Sequence, residues 1–550
     1  MSRITIFLLA ALCVLLGPLP SAHAQAYVVT NLVSDGSVTA TTMDPGFLNP
    51  WGISVSGTWW ISTANTGYSY VVPATTDAIA FKVVIPAASG TGTGAPAGSA
   101  TTAGATGMVL SNGTKASFLF STLDGAVYGW NSKLGTSGAV TLSAINSSSA
   151  AASYPGLAIL NPNATSSYIL LPNFGAGNKV EVYDSTFKPT TLSGSFTDPN
   201  LPSGYSPWSI QILNNQVWVA YALRGSSAPY APTLGAGNGI VDVFDTSGNF
   251  VARAVTGGNL NAPWGIAFAP ATGFGIFSGD LLIGNFGDGH INVYDPKNSY
   301  AYLGQLVDST GKPLVYASLW SLLTGGTPIL NSTSVSGGSL TSVYLTAGLA
   351  NQQHGLLAAI NSSTVSGASP TFAFSSSASS ATVTDGNTAT FTLAAVPVNG
   401  YSGTMTFTCS GLPVNSVCIF SPYTLSVASN APASTTLSIT TMGSKASMGF
   451  IHYHHGMPPF ALASIVPLSL LPLAMFVRRR RSSSRALRLF GPLAILVLGY
   501  AATVLVLGCG NSASPATTPP STPTGNSIVT VTATPSGGAP QQTSIALTVQ

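Results

Sequence analysis

Charge is what this sequence has least of. Asp, Glu, Lys and Arg make up 6% of its 550 residues, against about 25% in an average soluble domain, so solubility has to come from Ser, Thr, Asn and Gly. Glutamate occurs once, at Glu181, beside thirteen aspartates, which leaves few carboxylates for a hard-cation cage. The formal net charge of +3 misleads, because six of the seventeen basic residues fall within Arg478–Arg488. Between Gln25 and Met457, ten Lys or Arg face fourteen Asp or Glu, a net of −4. That argues against a nucleic-acid partner, which wants a clustered basic face. Four cysteines are present, none in a cluster with zinc spacing. After residue 24 there is no Gly-x-Ser-x-Gly elbow, no phosphate loop and no His-Glu-x-x-His.

What the chain does have is an export signal followed by a repeat. Arg3, the apolar run Ile4–Gly17 and Ala22-His23-Ala24 form an n-region, a core and a cleavage site. Residues 1–24 are therefore expected to be removed. From residue 25 to 363, short apolar strands recur at about fifty residues. Their starts are set at Asn49-Pro-Trp-Gly-Ile53, Thr106-Gly-Met-Val-Leu110, Tyr154-Pro-Gly-Leu-Ala158, Ser206-Pro-Trp-Ser-Ile210, Ala262-Pro-Trp-Gly-Ile266 and Leu319-Trp-Ser-Leu-Leu323. The ends Val180-Glu-Val-Tyr-Asp184, Val241-Asp-Val-Phe-Asp245 and Ile291-Asn-Val-Tyr-Asp295 recur as well. A fixed period of this length marks repeat architectures, and strands without helical periodicity select a propeller. Six blades is the count, with Tyr27–Val33 expected to close the ring against the last.

The motifs Asn49-Pro-Trp-Gly52, Asp124-Gly-Ala-Val-Tyr-Gly-Trp-Asn131, Gly204-Tyr-Ser-Pro-Trp208, Leu260-Asn-Ala-Pro-Trp-Gly265, Asn285-Phe-Gly-Asp-Gly289 and Tyr344-Leu-Thr-Ala-Gly348 with His354-Gly355 carry a resemblance. Together they resemble an uncharacterised family of secreted bacterial proteins, some of which carry PEP-CTERM sorting signals. Where that family has acidic residues before the His-Gly pair, this chain has Asn351-Gln-Gln353. The Pro-Trp-Gly-Ile blades are also similar to NHL-type and gluconolactonase-type propellers. The second similarity implies an enzyme that holds a divalent cation, Ca2+ or another, in the central tunnel.

The metal candidates on that reading are Asn65, Asn173, Asn285 and His354. The reading preferred on residue type makes the asparagines Asx-turn formers and His354 a turn or packing residue, with no cofactor. Trp51, Trp208, Trp264 and Trp320 each sit at one point of the repeat. Recurrence at a single position favours packing between neighbouring blades over a carbohydrate platform.

A Ser/Ala/Thr-rich linker, 364–380, leads to a second β module at about 370–441. There Cys409 and Cys418 bracket a short loop and read as a disulfide in an exported chain. The Cys-Ser-Gly-Leu-Pro…Cys-Ile-Phe-Ser-Pro run resembles bacterial Ig-like repeats. Two apolar stretches, 458–478 and 489–508, flank a basic segment, 479–488, and read as two membrane spans joined by a cytoplasmic loop. His452, His454 and His455 read as an interfacial segment. A linker, 510–524, precedes a hairpin, 525–550, which is too small to be stable alone and is expected to complete the Ig-like module. The fold class expected is all-β: a six-bladed β-propeller plus an Ig-like β-sandwich, with two transmembrane helices near the C-terminus. The function expected is binding, adhesion or scaffolding at a cell envelope. The partners are the membrane and a glycan or protein ligand at the propeller face. The alternative is a periplasmic lactonase or esterase.

Overall fold

The computed structural model describes residues 26–326, 337–363, 370–443 and 521–550. The export segment 1–24, the apolar stretches 458–478 and 489–508, and the basic segment between them lie outside the described residues. Among the described residues no helix is long and apolar enough to cross a membrane.

Nearly all regular structure is β. Six sheets follow one another along the chain in up-and-down order at residues 50–84, 96–146, 158–184, 205–256, 263–305 and 319–363. The inner strands are Pro50–Val55, Pro96–Thr101, Ala158–Asn163, Tyr205–Leu213, Pro263–Phe268 and Leu319–Thr324. Each lies against the next, and the last lies against the first. That closed cycle is a six-bladed propeller. The outer strand of the sixth blade comes from the other end of the chain. Ala26–Ser34 pairs antiparallel with Leu356–Ser363, Val29 opposite Ile360. Blade three carries three strands where the others carry at least four.

The Trp and the Gly of the Pro-Trp-Gly motif have separate reasons. The Trp points to the axis, as detailed below. The Gly lets the next inner strand approach: a Cβ on Gly52 would sit 2.6 Å from the Ala97 carbonyl oxygen, and one on Gly265 would sit 2.5 Å from that of Trp320. In blades four and six a serine takes the glycine's place and bonds the neighbour instead. Ser209 donates to the Trp264 carbonyl, and Ser321 to that of Trp51 at 2.8 Å.

One blade start is displaced from its expected position. The inner strand of blade two is Pro96–Thr101, not Thr106–Leu110, which lies in the loop that follows. Ala97 stands where four of the other blades show Trp, and that removed the cue.

The second module is a two-sheet sandwich. One sheet orders its strands Thr371–Ser376, Thr388–Val398, Ala433–Thr441, Ser416–Ser421. The other runs Ser380–Val383, Gln541–Val549, Gly525–Pro535, Gly403–Ser410, Thr424–Val427. Within 364–380, taken from sequence as linker, Thr371–Ser376 is thus a strand, because Phe372 is needed in the core. The two strands of the C-terminal hairpin are interior members of the second sheet. Val531 pairs with Cys409, while Ala546 pairs with Ser380. Phe391, Leu393, Phe407, Leu437, Val529, Val531, Ile545 and Leu547 fill the space between the sheets. The Cys409–Cys418 disulfide ties one sheet to the other.

The sandwich packs directly on blade five. Ala394 joins the apolar core around Tyr302, and Val396 and Val398 join that around Leu306. Asn259 Nδ2 donates to the Ser376 carbonyl at 2.6 Å and Asn399 Nδ2 to that of Ser309 at 2.9 Å.

Candidate functional site

The four repeated tryptophans converge. Trp51 of blade one touches Trp208 of blade four and Trp264 of blade five, at ring-centroid distances of 5.8 and 6.2 Å. Trp208 and Trp264 both lie 6.1 Å from Trp320 of blade six. Rings from blades that are not neighbours can meet only on the axis, so the indoles fill the tunnel. Blades two and three contribute the small residues Ala97 and Gly156 at the matching point, which leaves room for four large rings. Trp264 Nε1 donates across the axis to the Pro155 carbonyl at 3.3 Å, and Trp320 Nε1 to Asn49 Oδ1 at 2.9 Å. The Nε1 groups of Trp51 and Trp208 are buried and find no partner among the described residues. Burying four indoles is a large apolar gain, and Trp tolerates burial best when its N–H is bonded.

Above the indoles sits a rim. It is built from residues that directly follow the second strand of blades two to five, Leu123, Phe174, Arg224 and Phe286, with Asn65 and Gln352 from the corresponding loops of blades one and six. Phe286 stacks on Trp320 at 4.3 Å, and Phe174 packs on Trp208 at 4.5 Å. Arg224 donates both Nη1 hydrogens inward, to the carbonyls of Phe174 and Gly175. Its guanidinium lies over the Tyr230 ring at 4.2 Å, a cation–π contact. Leu123, Arg224, Tyr230 and Phe286 remain partly exposed.

The asparagines and His354 singled out from sequence are dispersed around this rim. Asn65 Oδ1 accepts from Asn49 Nδ2 at 3.0 Å, while its Nδ2 donates to the Gln352 carbonyl at 2.6 Å. Asn173 Oδ1 accepts the Ser153 and Gly175 N–H groups, and its Nδ2 donates to Glu181 at 2.8 Å. Asn285 Oδ1 accepts the Asn261 N–H at 3.1 Å, and its Nδ2 donates to Asp288 at 3.0 Å. Each of the three side-chain oxygens is engaged by a protein donor. The positions are also not equivalent. Asn285 pairs with Pro263, whereas the residue that pairs with Pro50 is Thr63, two before Asn65. Among the described residues no group of three or more His, Cys, Asp or Glu gathers around one point.

His354 has a partner the sequence did not show. Its Nδ1 lies 2.6 Å from Asp35 Oδ2, which joins the end of the first strand to the start of Leu356–Ser363. Burial pushes the Asp35 carboxyl up, but hydrogen bonds from Ser37, His354 and the Gly355 N–H outweigh it and hold its pKa below the usual aspartate value. The turn before His354 is strained. Ala350, Asn351 and Gln352 have φ of 48°, 56° and 69° in succession, a left-handed conformation costing about 1–2 kcal/mol per non-glycine residue. It brings Gln352 Oε1 within 3.2 Å of Asn49 Nδ2.

A second polar cluster lies between blades three and four. Asp242 is fully buried and faces Arg253 Nε at 3.5 Å, and Asp198 pairs with the same guanidinium. Burial, with Asp198 nearby, raises the Asp242 pKa to about 7.

Sequence reading missed Asp35, Asn49 and Arg224 as members of this face. Only Asn49 carried a signal, its place directly before Pro-Trp-Gly. The other two act through contacts with residues remote in the chain.

No family model matches the chain. Three uncharacterised proteins of Acanthamoeba polyphaga mimivirus are similar to it. One is 28% identical over 319 residues, 55% of this chain and 75% of its own length. Another is 27% identical over 304 residues, 54% and 78%. The third is 29% identical over 208 residues, 36% of each. These relatives are viral, which corrects the resemblance to a secreted bacterial family with PEP-CTERM signals. The motifs that suggested it are demanded by blade geometry: an axial Trp, a close-approach Gly and Asx turns. Among solved structures, the soluble aldose sugar dehydrogenase of Escherichia coli is 10% identical, with a TM-score of 0.37, covering 61% of this chain and 99% of that one. Hydrazine synthase of Kuenenia stuttgartiensis is 13% identical, with a TM-score of 0.33, covering 55% and 77%. The propeller assignment rests on the sheet topology described above.

Proposed function

We propose that this protein is an exported, membrane-anchored binding module that presents the axial face of its propeller to a ligand. One observation carries the reading: the axis is filled by four indoles. A hydrolase of the lactonase type needs oxygen ligands around a cation at that level. Here the oxygens of Asn65, Asn173 and Asn285 are engaged by protein N–H groups. A face with an apolar floor and a few placed polar groups is instead what small-ligand sites present. The export signal at 1–24 and the apolar stretches 458–478 and 489–508 support display outside a membrane. The direct packing of the sandwich on blade five supports presentation of the face on a stiff mount.

The test is elemental analysis of the purified full chain, with thermal melts with and without a chelator. The binding reading expects no stoichiometric divalent ion and superimposable melts. A bound ion whose removal lowers the melting temperature would replace it with the cation hydrolase.

A further inference from the structure

We infer that the axial face takes a sugar ring bearing a carboxylate, a uronic acid residue of a polysaccharide; the inference rests on the binding reading above. Arg224 is the residue on which it turns. Both hydrogens of Nη1 are spent on the Phe174 and Gly175 carbonyls. That fixes the plane of the guanidinium and leaves the Nε–Nη2 edge, one of the two edges that meet a carboxylate with paired parallel hydrogen bonds. Tyr230 backs the guanidinium at 4.2 Å, so the side chain is held before any ligand arrives. Pre-organised donors lose less on binding than free ones.

The acids nearby are engaged in their own networks. Glu181 accepts from Tyr154 at 2.7 Å and Asn173 at 2.8 Å. Asp288 accepts from Asn285 at 3.0 Å and lies 3.2 Å from His290 Nδ1. Asp124 accepts the Ala88 N–H at 2.7 Å through Oδ2, while its Oδ1 is buried without a partner among the described residues. A single held cation suits a ligand with one negative charge per unit. Tyr230 and Phe286 are partly exposed beside it, and aromatic surface of this kind suits the C–H face of a pyranose. Asn65 and Gln352, also on the rim, are neutral amides, which suits hydroxyl groups.

The test uses the full chain, with tryptophan emission and titration calorimetry as readouts. The probes are galacturonic acid oligomers and neutral galactose oligomers of the same length. The axial indoles lie directly beneath the site and report on it. The expected result is saturable binding of the acidic oligomer, at least about tenfold tighter than the neutral one. Arg224→Gln should erase that difference while circular dichroism shows the chain still folded at the titration temperature. Equal affinity for both oligomers, or an unchanged preference in Arg224→Gln, would overturn the carboxylate inference while leaving the face as a binding site. Absence of saturable binding for the acidic oligomer also overturns it. If the acidic oligomer binds but neither Tyr230→Ala nor Phe286→Ala weakens it, the ligand sits elsewhere and the axial-face reading falls as well.

Discussion

Trp51 and Trp320 stack face to face on the propeller axis, with centroids 3.4 Å apart and 19° between their planes. The first blade and the last are thereby joined at the centre of the ring, while the N-terminal strand Ala26–Ser34 closes the sixth blade at its outer edge.

Trp51→Ala should therefore cost about 3–5 kcal/mol, the range for removing a buried aromatic that leaves a cavity. Trp51→Phe should cost less, because a ring remains to stack. Urea unfolding followed by circular dichroism measures both. A loss under 1 kcal/mol for the alanine variant would show that the axial rings are not packed against one another in solution.

Asp242 should make stability depend on pH. Its folded-state pKa of about 7 lies above the usual aspartate value, so between about pH 4 and 7 the native state holds a proton that the unfolded chain has released. Stability from this group then falls as pH rises through that window, by at most about 4 kcal/mol in total. Asp242→Asn removes the term. Its melting temperature relative to wild type should rise from pH 5 to pH 8, and a constant offset would contradict the assignment.

Removing residues 524–550 should open the sandwich. Val529, Val531, Ile545 and Leu547 are fully buried in its core, and the strand Gly403–Ser410 would lose its Gly525–Pro535 neighbour. Limited proteolysis should then cut within 371–441 far faster than in the intact chain. Equal resistance would mean that the hairpin is dispensable.

Gly98→Ala should destabilise the ring by about 1–3 kcal/mol, as overpacking does, because the new Cβ would lie 2.5 Å from the Leu157 backbone nitrogen in the next blade. Gly537→Ala, with nothing within 4 Å, is the control and should be close to neutral. Paired thermal melts decide it.

Much of the architecture was legible in the sequence because propellers repeat. Trp51, Trp208, Trp264 and Trp320 recur at one register, so the inner strands of four blades announce themselves. Blade two was placed late because its axial residue is Ala97. The tryptophans were read as packing between neighbouring blades; Trp51 and Trp320 do so, and Trp51 also meets Trp208 across the axis. Periodicity gives a residue's place within a blade, not how far its ring reaches past the ring of strands. The face itself was the hardest part to read. Asp35 and His354 are 319 residues apart, and the contact between Arg224 and Phe174 depends on the angle between two blades. No local pattern encodes either. The asparagine candidates recur because turns recur, and each spends its oxygen on the turn or on a neighbouring loop.

The strand Ala26–Ser34 is made first but finds its place only beside Leu356–Ser363, and Gly403–Ser410 waits likewise for Gly525–Pro535. During synthesis each of these strands therefore spends its early life with an open edge, the form most prone to pairing with another chain. Closure of both modules is deferred until long after their first strands exist. Joins between strands this distant in sequence raise the contact order, which in general slows folding.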